Sequence, residues 1–178
     1  MTTVETLLND PDTAGVWNLD PDRSTITFKI RNMWGLVNVK GRFDDFNGDG
    51  QVTGKGAIFG RVDIRTASLR TGIRKRDEHL QSADFFDVER FPEISVVVTA
   101  VRPTTGNSAE LEANFSIKGI TAAVPLPVRV SVYDDGSVRL SAKTDVDRAQ
   151  FGLDWNRLGM IGKTATATAE VCFVRTPR

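Results

Sequence analysis

The feature that most constrains this chain is how often apolar and polar residues alternate one for one. In residues 25–31, Ile26, Phe28 and Ile30 alternate with Thr25, Thr27, Lys29 and Arg31. The same period runs through Ala109, Leu111, Ala113, Phe115 and Ile117, through Val124, Leu126, Val128, Val130 and Val132, and through Val138, Leu140, Ala142, Thr144 and Val146. A period of two puts alternate side chains on opposite faces of a strand, so each stretch reads as a strand buried on one side. Residues 37–44, 58–65, 93–102 and 163–175 complete about eight such strands. Turn chemistry separates them at Asp20-Pro21-Asp22, at Asn47-Gly48-Asp49-Gly50, at Thr104-Thr105-Gly106-Asn107 and at Asp134-Asp135-Gly136. Pro125 and Pro127 fall on the outward parity and predict an edge or bulge. Eight one-sided strands with no repeat predict an all-β fold, a barrel in preference to a sandwich.

Two stretches break the pattern. Residues 71–92, TGIRKRDEHLQSADFFDVERFP, form a connection of roughly 22 residues, far longer than a hairpin needs. Leu80, Phe85, Phe86 and Phe91 give it something to bury, which predicts an ordered insertion closing one barrel end through Leu80, Phe85 and Phe86. Ser82 and Asp84 are candidate caps for a turn over 85–88. Residues 148–161 are also irregular, with Phe151, Leu153, Trp155, Leu158 and Met160. Together with Met33, Trp34 and Leu36 these are large apolar groups outside strands. They plug a barrel end, line a ligand mouth or form a contact with another subunit.

Charge and single residues exclude several functions. Of the 178 residues, 23 are Lys or Arg and 23 are Asp or Glu, so the formal net charge is zero. That argues against bulk electrostatic capture of nucleic acid or an anionic membrane, leaving a local patch open. The single histidine, His79, rules out a multi-histidine metal site. Residues 45–50 match the first half of a calcium loop, but Gly56 stands where the bidentate glutamate belongs, so a plain turn is the better reading. His79 with Arg76, Asp77, Glu78, Asp84, Asp87 and Glu89 is a candidate acid–base cluster. The plainer reading is a histidine that orders the insertion. The single cysteine, Cys172, precludes an intrachain disulfide. No stretch is long and apolar enough for a membrane helix. The opening MTTVETLLNDPDTAG has no apolar core of a secretory signal, so a cytoplasmic protein is expected. Its residues 4–8 are expected to form a helical turn that lies on the surface or frays.

Six strings carry a family resemblance: WNLDPDRSTITFKI (17–30), VKGRF (39–43), RDEHL (76–80), SADFFDVERFPE (82–93), IKGIT (117–121) and DRAQFGLDW (147–155). In this order they resemble the YceI-like family of polyisoprenoid- or lipid-binding proteins. Each string is weak alone; the ordered set is specific. The resemblance divides the chain into an N-terminal extension, 1–15, and a YceI-like lipid-binding domain, 16–178. It implies an eight-stranded antiparallel lipocalin-like β-barrel with short helices in the long connections. It also implies a non-enzymatic binder or carrier of a polyisoprenoid, isoprenoid quinone or similar lipid, with no cofactor beyond that lipid, and a homodimer, on which the residues themselves are silent. Neither a nucleic-acid partner nor stable membrane insertion is expected.

The residues then expected to meet the ligand are Phe28, Ile30, Met33, Trp34, Phe85, Phe86, Val96, Phe115, Phe151, Trp155, Leu158, Met160, Ala165 and Ala167. The last strand is singled out because Ala165, Ala167 and Ala169 share the parity of Val171 and Phe173. Three alanines on a core face fill little volume. Either they make a tunnel, or neighbours such as Phe28 and Phe115 interdigitate and fill it. An enzyme built on His79 and a ligand-free interaction module are the alternatives.

Overall fold

A computed structural model describes residues 3–177 of the chain. Among them are ten strands: β1 Gly15–Asn32, β2 Val37–Phe43, β3 Phe46–Val52, β4 Ile58–Arg65, β5 Leu69–Arg70, β6 Glu93–Pro103, β7 Ser108–Ile117, β8 Ile120–Val132, β9 Val138–Asp147 and β10 Thr164–Arg175. Two helices accompany them, α1 Val4–Asn9 and α2 Arg74–Gln81. All neighbouring strands run antiparallel in the order β10-β9-β8-β7-β6-β4-β3-β1, and β1 pairs with β10 to close an eight-stranded barrel. Closure removes the outer edges of the sheet, leaving β8 unpaired toward β9 only before Val128. β2 and β5 branch from it: β1 pairs with β3 over Gly15–Asn18 and with β2 over Ile26–Asn32.

The alternation sorts side chains as expected. On β7, Ala109, Leu111, Ala113, Phe115 and Ile117 are all buried. On β1, Ile26, Phe28 and Ile30 stand opposite Ala169, Ala167 and Ala165 of β10, so these alanines face the interior. Pro125 and Pro127 lie where β8 has no ladder with β9, whose pairing covers only Val128–Val132. The Thr144 hydroxyl donates to the Pro125 carbonyl at 2.7 Å across that gap. Proline is tolerated there because no partner asks for its missing N–H.

Three local expectations are corrected. Asn47-Gly48-Asp49-Gly50 is not a turn but the middle of β3. A side chain at Gly48 would come within 2.8 Å of the Arg61 carbonyl, so this glycine serves close strand approach. Asp20-Pro21-Asp22 is a bulge inside β1, between Asp20 and Thr25, and not a turn between strands. Residues 4–8 do not lie loose on the surface. Thr3 caps α1, Val4 is 4% exposed, and it packs with Ala109, Leu111 and Val128. Val4, Leu7 and Leu8 share one helix face, and burying that face offsets the weakness of so short a helix.

α1 crosses one end of the barrel. The Val4 N–H donates to the Gly106 carbonyl on the β6–β7 turn, and Leu8 lies against Gly56 on the β3–β4 hairpin. The opposite end is closed by the insertion. Leu80 and Phe85 are buried there, in one core with Phe43, Phe151 and Leu153 and with the partly buried Phe86 and Trp155. Of the two candidate caps, Ser82 ends α2, its hydroxyl donating to the His79 carbonyl at 2.6 Å, and Asp84 bonds His79 instead.

Candidate ligand cavity

A cavity of about 260 Å³ lies inside the barrel toward the α1 end. Its lining is almost wholly apolar. The walls include Trp17, Val62, Val98, Leu111, Leu126 and Phe173, and Val4, Leu7 and Leu8 of α1 cover the end. The space comes from small residues on inward positions. Trp17 pairs with Gly50, Gly50 with Gly60, and Gly60 with Val98, so two glycines stand between two large side chains on one inner row. Ala109, Ala142, Ala167 and Ala169 line the same space. A Cβ built at Gly60 meets nothing closer than 3.7 Å, so the glycine is there for room and not to relieve a clash. Glycine weakens a strand interior, a cost set here against the room it leaves.

Of the residues expected to meet a ligand, Val96, Phe115 and Ala167 line this cavity. Phe85, Phe86, Phe151 and Trp155 lie in the plug at the other end. Phe28, Ile30 and Ala165 belong to the core between plug and cavity. Met33, Trp34 and Leu158 are exposed and Met160 half-exposed, on two loops beside the plug. The lining residues not anticipated, Trp17, Ile26, Val62, Val98, Leu126, Leu140 and Phe173, are ordinary inward strand positions. Their signal was the company of Gly50 and Gly60.

The insertion is held by polar contacts that organise structure. The His79 Nε2 lies 3.0 Å from Asp84 Oδ2, and its ring packs edge-on against Trp155, with centroids 4.5 Å apart. The Thr71 N–H and hydroxyl both donate to Asp77, and Arg76 donates to the Thr71 hydroxyl and carbonyl at 2.9 Å each. Lys118 reaches the Ala83 and Gly152 carbonyls, joining the two irregular stretches. Arg148, 4% exposed, donates to the Gly162 and Leu153 carbonyls at 2.8 and 2.6 Å. Burial pulls its pKa below the usual arginine value, while Asp154 and Asp147 oppose the shift. A guanidinium stays charged even so, and here carbonyl dipoles solvate it. Among the described residues, no group of three or more His, Cys, Asp or Glu is placed to hold a metal ion. No helix among them is long and apolar enough to cross a membrane.

A closed antiparallel barrel with an apolar cavity and a helical insertion across one end defines a lipocalin-like binding fold. The YceI-like domain model matches residues 17–173, and the chain belongs to that family. A UPF0312 protein of Pseudomonas putida is 30% identical over 146 residues, covering 80% of this chain and 73% of the relative. UPF0312 proteins of Shewanella are 30% identical over 115 residues, 64% of this chain. The match spans only 59% of the length of those Shewanella relatives. Among solved structures, BcnA of Burkholderia cenocepacia superposes with a TM-score of 0.79 at 20% identity, covering 86% of this chain and 98% of its own. A polyisoprenoid-binding domain from Saccharophagus degradans gives 0.74 at 16%, covering 90% and 98%. At these identities the structures establish the shared fold.

Proposed function

We propose that this protein is a non-enzymatic carrier that binds, stores or moves a polyisoprenoid, an isoprenoid quinone or a similar long-chain lipid inside the barrel. The observation that carries this reading is the apolar cavity kept open by Gly50, Gly60 and inward alanines, where larger residues would have packed. Membership of the YceI-like family and the likeness to a polyisoprenoid-binding domain support it. Each five-carbon unit moved out of water is worth about 4 kcal/mol at ~0.8 per carbon, so a few units outweigh the cost of ordering the chain. At about 260 Å³ the cavity is just below the ~300–1,000 Å³ typical of ligand pockets. It therefore takes a short length of chain, and a longer one extends past α1.

The binding needs no cofactor and no catalytic group. His79 and the acids around it are engaged in holding the insertion, which favours a binder over an enzyme. Native mass spectrometry of the purified protein, followed by organic extraction, tests the reading. A co-purifying long-chain lipid is expected. A protein that takes up no prenyl chain even when offered one in detergent would sink it. The same mass spectra weigh the homodimer, and cell fractionation weighs a cytoplasmic place of action.

A further inference from the structure

The tip of the β1–β2 hairpin presents large apolar side chains to solvent. Trp34 is 65% exposed, Leu36 83% and Met33 46%. Beside them, Leu158 is 77% exposed on the loop before β10. The two loops are joined: the Trp34 N–H donates to the Met160 carbonyl at 3.0 Å, and the Gly162 N–H to the Arg31 carbonyl at 2.8 Å. Met33, Trp34 and Leu158 all have positive φ, at 49°, 55° and 57°. For bulky residues that backbone is strained. The chain thus holds these large apolar groups in water on a strained backbone.

Below this tip the outer face of the hairpin is cationic. Lys29 stands directly opposite Lys40, and Arg42 directly opposite Arg70. Like charges across a ladder are destabilising, so their pairing here is a cost to the fold. Arg31 is one step nearer the tip, Lys143 is on the same face two strands away, Arg157 precedes Leu158, and Lys163 ends the same loop. Carboxylates border the patch: Asp44 pairs with Arg42 at 2.7 Å, Asp145 accepts from Thr166, Asp147 stands opposite Thr164, and Asp77 and Glu78 line the same groove as Arg42 and Arg70. Lys29, Lys40 and Lys143 have no ion-pair partner among the described residues. The chain as a whole is neutral, so this is a local concentration of charge.

We propose that the hairpin tip and its cationic stem form a docking surface for an anionic lipid bilayer. Tryptophan with leucine enters the headgroup boundary, and lysine and arginine behind them meet anionic headgroups. A second copy of this chain fits less well, because a two-fold contact would set the same cations against themselves. Nucleic acid fits less well because Leu36, Leu158 and Met33 offer a polyanion nothing. Docking of this kind is peripheral and leaves the barrel folded. It does not depend on what the cavity holds.

Vesicle flotation tests the proposal, with vesicles of phosphatidylcholine alone and of phosphatidylcholine with 40% phosphatidylglycerol. Wild type is expected to float with the anionic vesicles at 50 mM salt, to be released as salt rises, and to ignore the neutral ones. The double variants Trp34→Ser/Leu36→Ser and Lys29→Glu/Lys40→Glu should each partition at least tenfold less, with unchanged melting temperatures. Gly60→Leu, which fills the cavity, should float like wild type, separating docking from tail capture. Failure to float with either vesicle overturns the proposal. So does a dimer in solution that Trp34→Ser/Leu36→Ser abolishes, or binding to single-stranded DNA that competes with vesicles.

Discussion

The tip of the Phe28 ring on β1 occupies the space beside Gly41 of β2, its cross-strand partner, where a side chain on Gly41 would otherwise project. A Cβ at that position would come within 2.3 Å of the Phe28 Cζ. Phe43 blocks retreat, its ring centroid 5.5 Å away. Gly41→Ala therefore overpacks the core and should destabilise the protein by about 1–3 kcal/mol in urea unfolding. Adding Phe28→Leu should recover part of the loss, and strictly additive effects would show that the two residues do not meet.

Gly60 is the contrasting glycine. Its inward side opens on the cavity, so Gly60→Leu should leave the melting temperature equal to or above that of wild type. Binding of a prenyl chain should fall at least tenfold in titrations. Ala167→Leu, directly opposite Phe28, should reduce binding with a small loss of stability. Undiminished binding by Gly60→Leu places the ligand elsewhere.

His79→Ala should cost about 1 kcal/mol, from its bond to Asp84 and its edge contact with Trp155. Hydrogen exchange should rise over residues 74–92, and lipid affinity should change by no more than a few fold. A substrate turned over by wild type and not by this variant would falsify the carrier reading.

Acid should unpick the outer wall at Asp63. Partial burial pushes its carboxyl up, but hydrogen bonds from Arg61 and Ser95 and the charge of Arg61 outweigh this and hold it below the usual carboxylate range. A depressed folded pKa means the carboxylate contributes stability above its unfolded pKa, about 3.9, and loses it as pH falls through the folded value. The stability gap between wild type and Asp63→Asn should thus be constant near neutrality and shrink below about pH 4. A gap independent of pH down to acid unfolding would show that the ionised form is not favoured.

Arg148→Met keeps the length of a buried side chain and removes what the Gly162 and Leu153 carbonyls bind. It should destabilise by about 1–3 kcal/mol and loosen residues 148–163 in hydrogen exchange.

The barrel was legible because one-sided alternation leaves a strand few other choices. The plug was legible because Phe85, Phe86 and Leu80 sit in a charged stretch that has nothing else to bury. What misled was punctuation. Asn47-Gly48-Asp49-Gly50 carries every mark of a turn, yet its glycines serve close packing within β3, a need that arises only from a partner strand not adjacent in the chain. The cavity was hard to see for the same reason: Gly50 and Gly60 make space only once paired. Three of the strings that carried the family resemblance, SADFFDVERFPE, IKGIT and DRAQFGLDW, meet at the plug, where Lys118 ties Ala83 to Gly152 and Gly119 makes room for Phe91. They announce how the barrel is stoppered more than where it is hollow. Val4, Leu7 and Leu8 did carry a helical period, but in too short a run to show what they would cover.

The pairing of β1 with β10 sets a timetable for synthesis. Asn18 bonds Thr176 across 158 positions, and the ladder that closes the ring cannot begin until residues 164–176 have left the ribosome. Until then β1 waits with one backbone edge unpaired and Ile26, Phe28 and Ile30 in water, a nascent surface suited to chaperones or to wrong partners. Ring closure is thus a late event with a large loop to close, and slow folding follows from topology whatever the final stability. Variants in β10 should reveal themselves first in yield and inclusion bodies, before any change in the finished barrel can be measured.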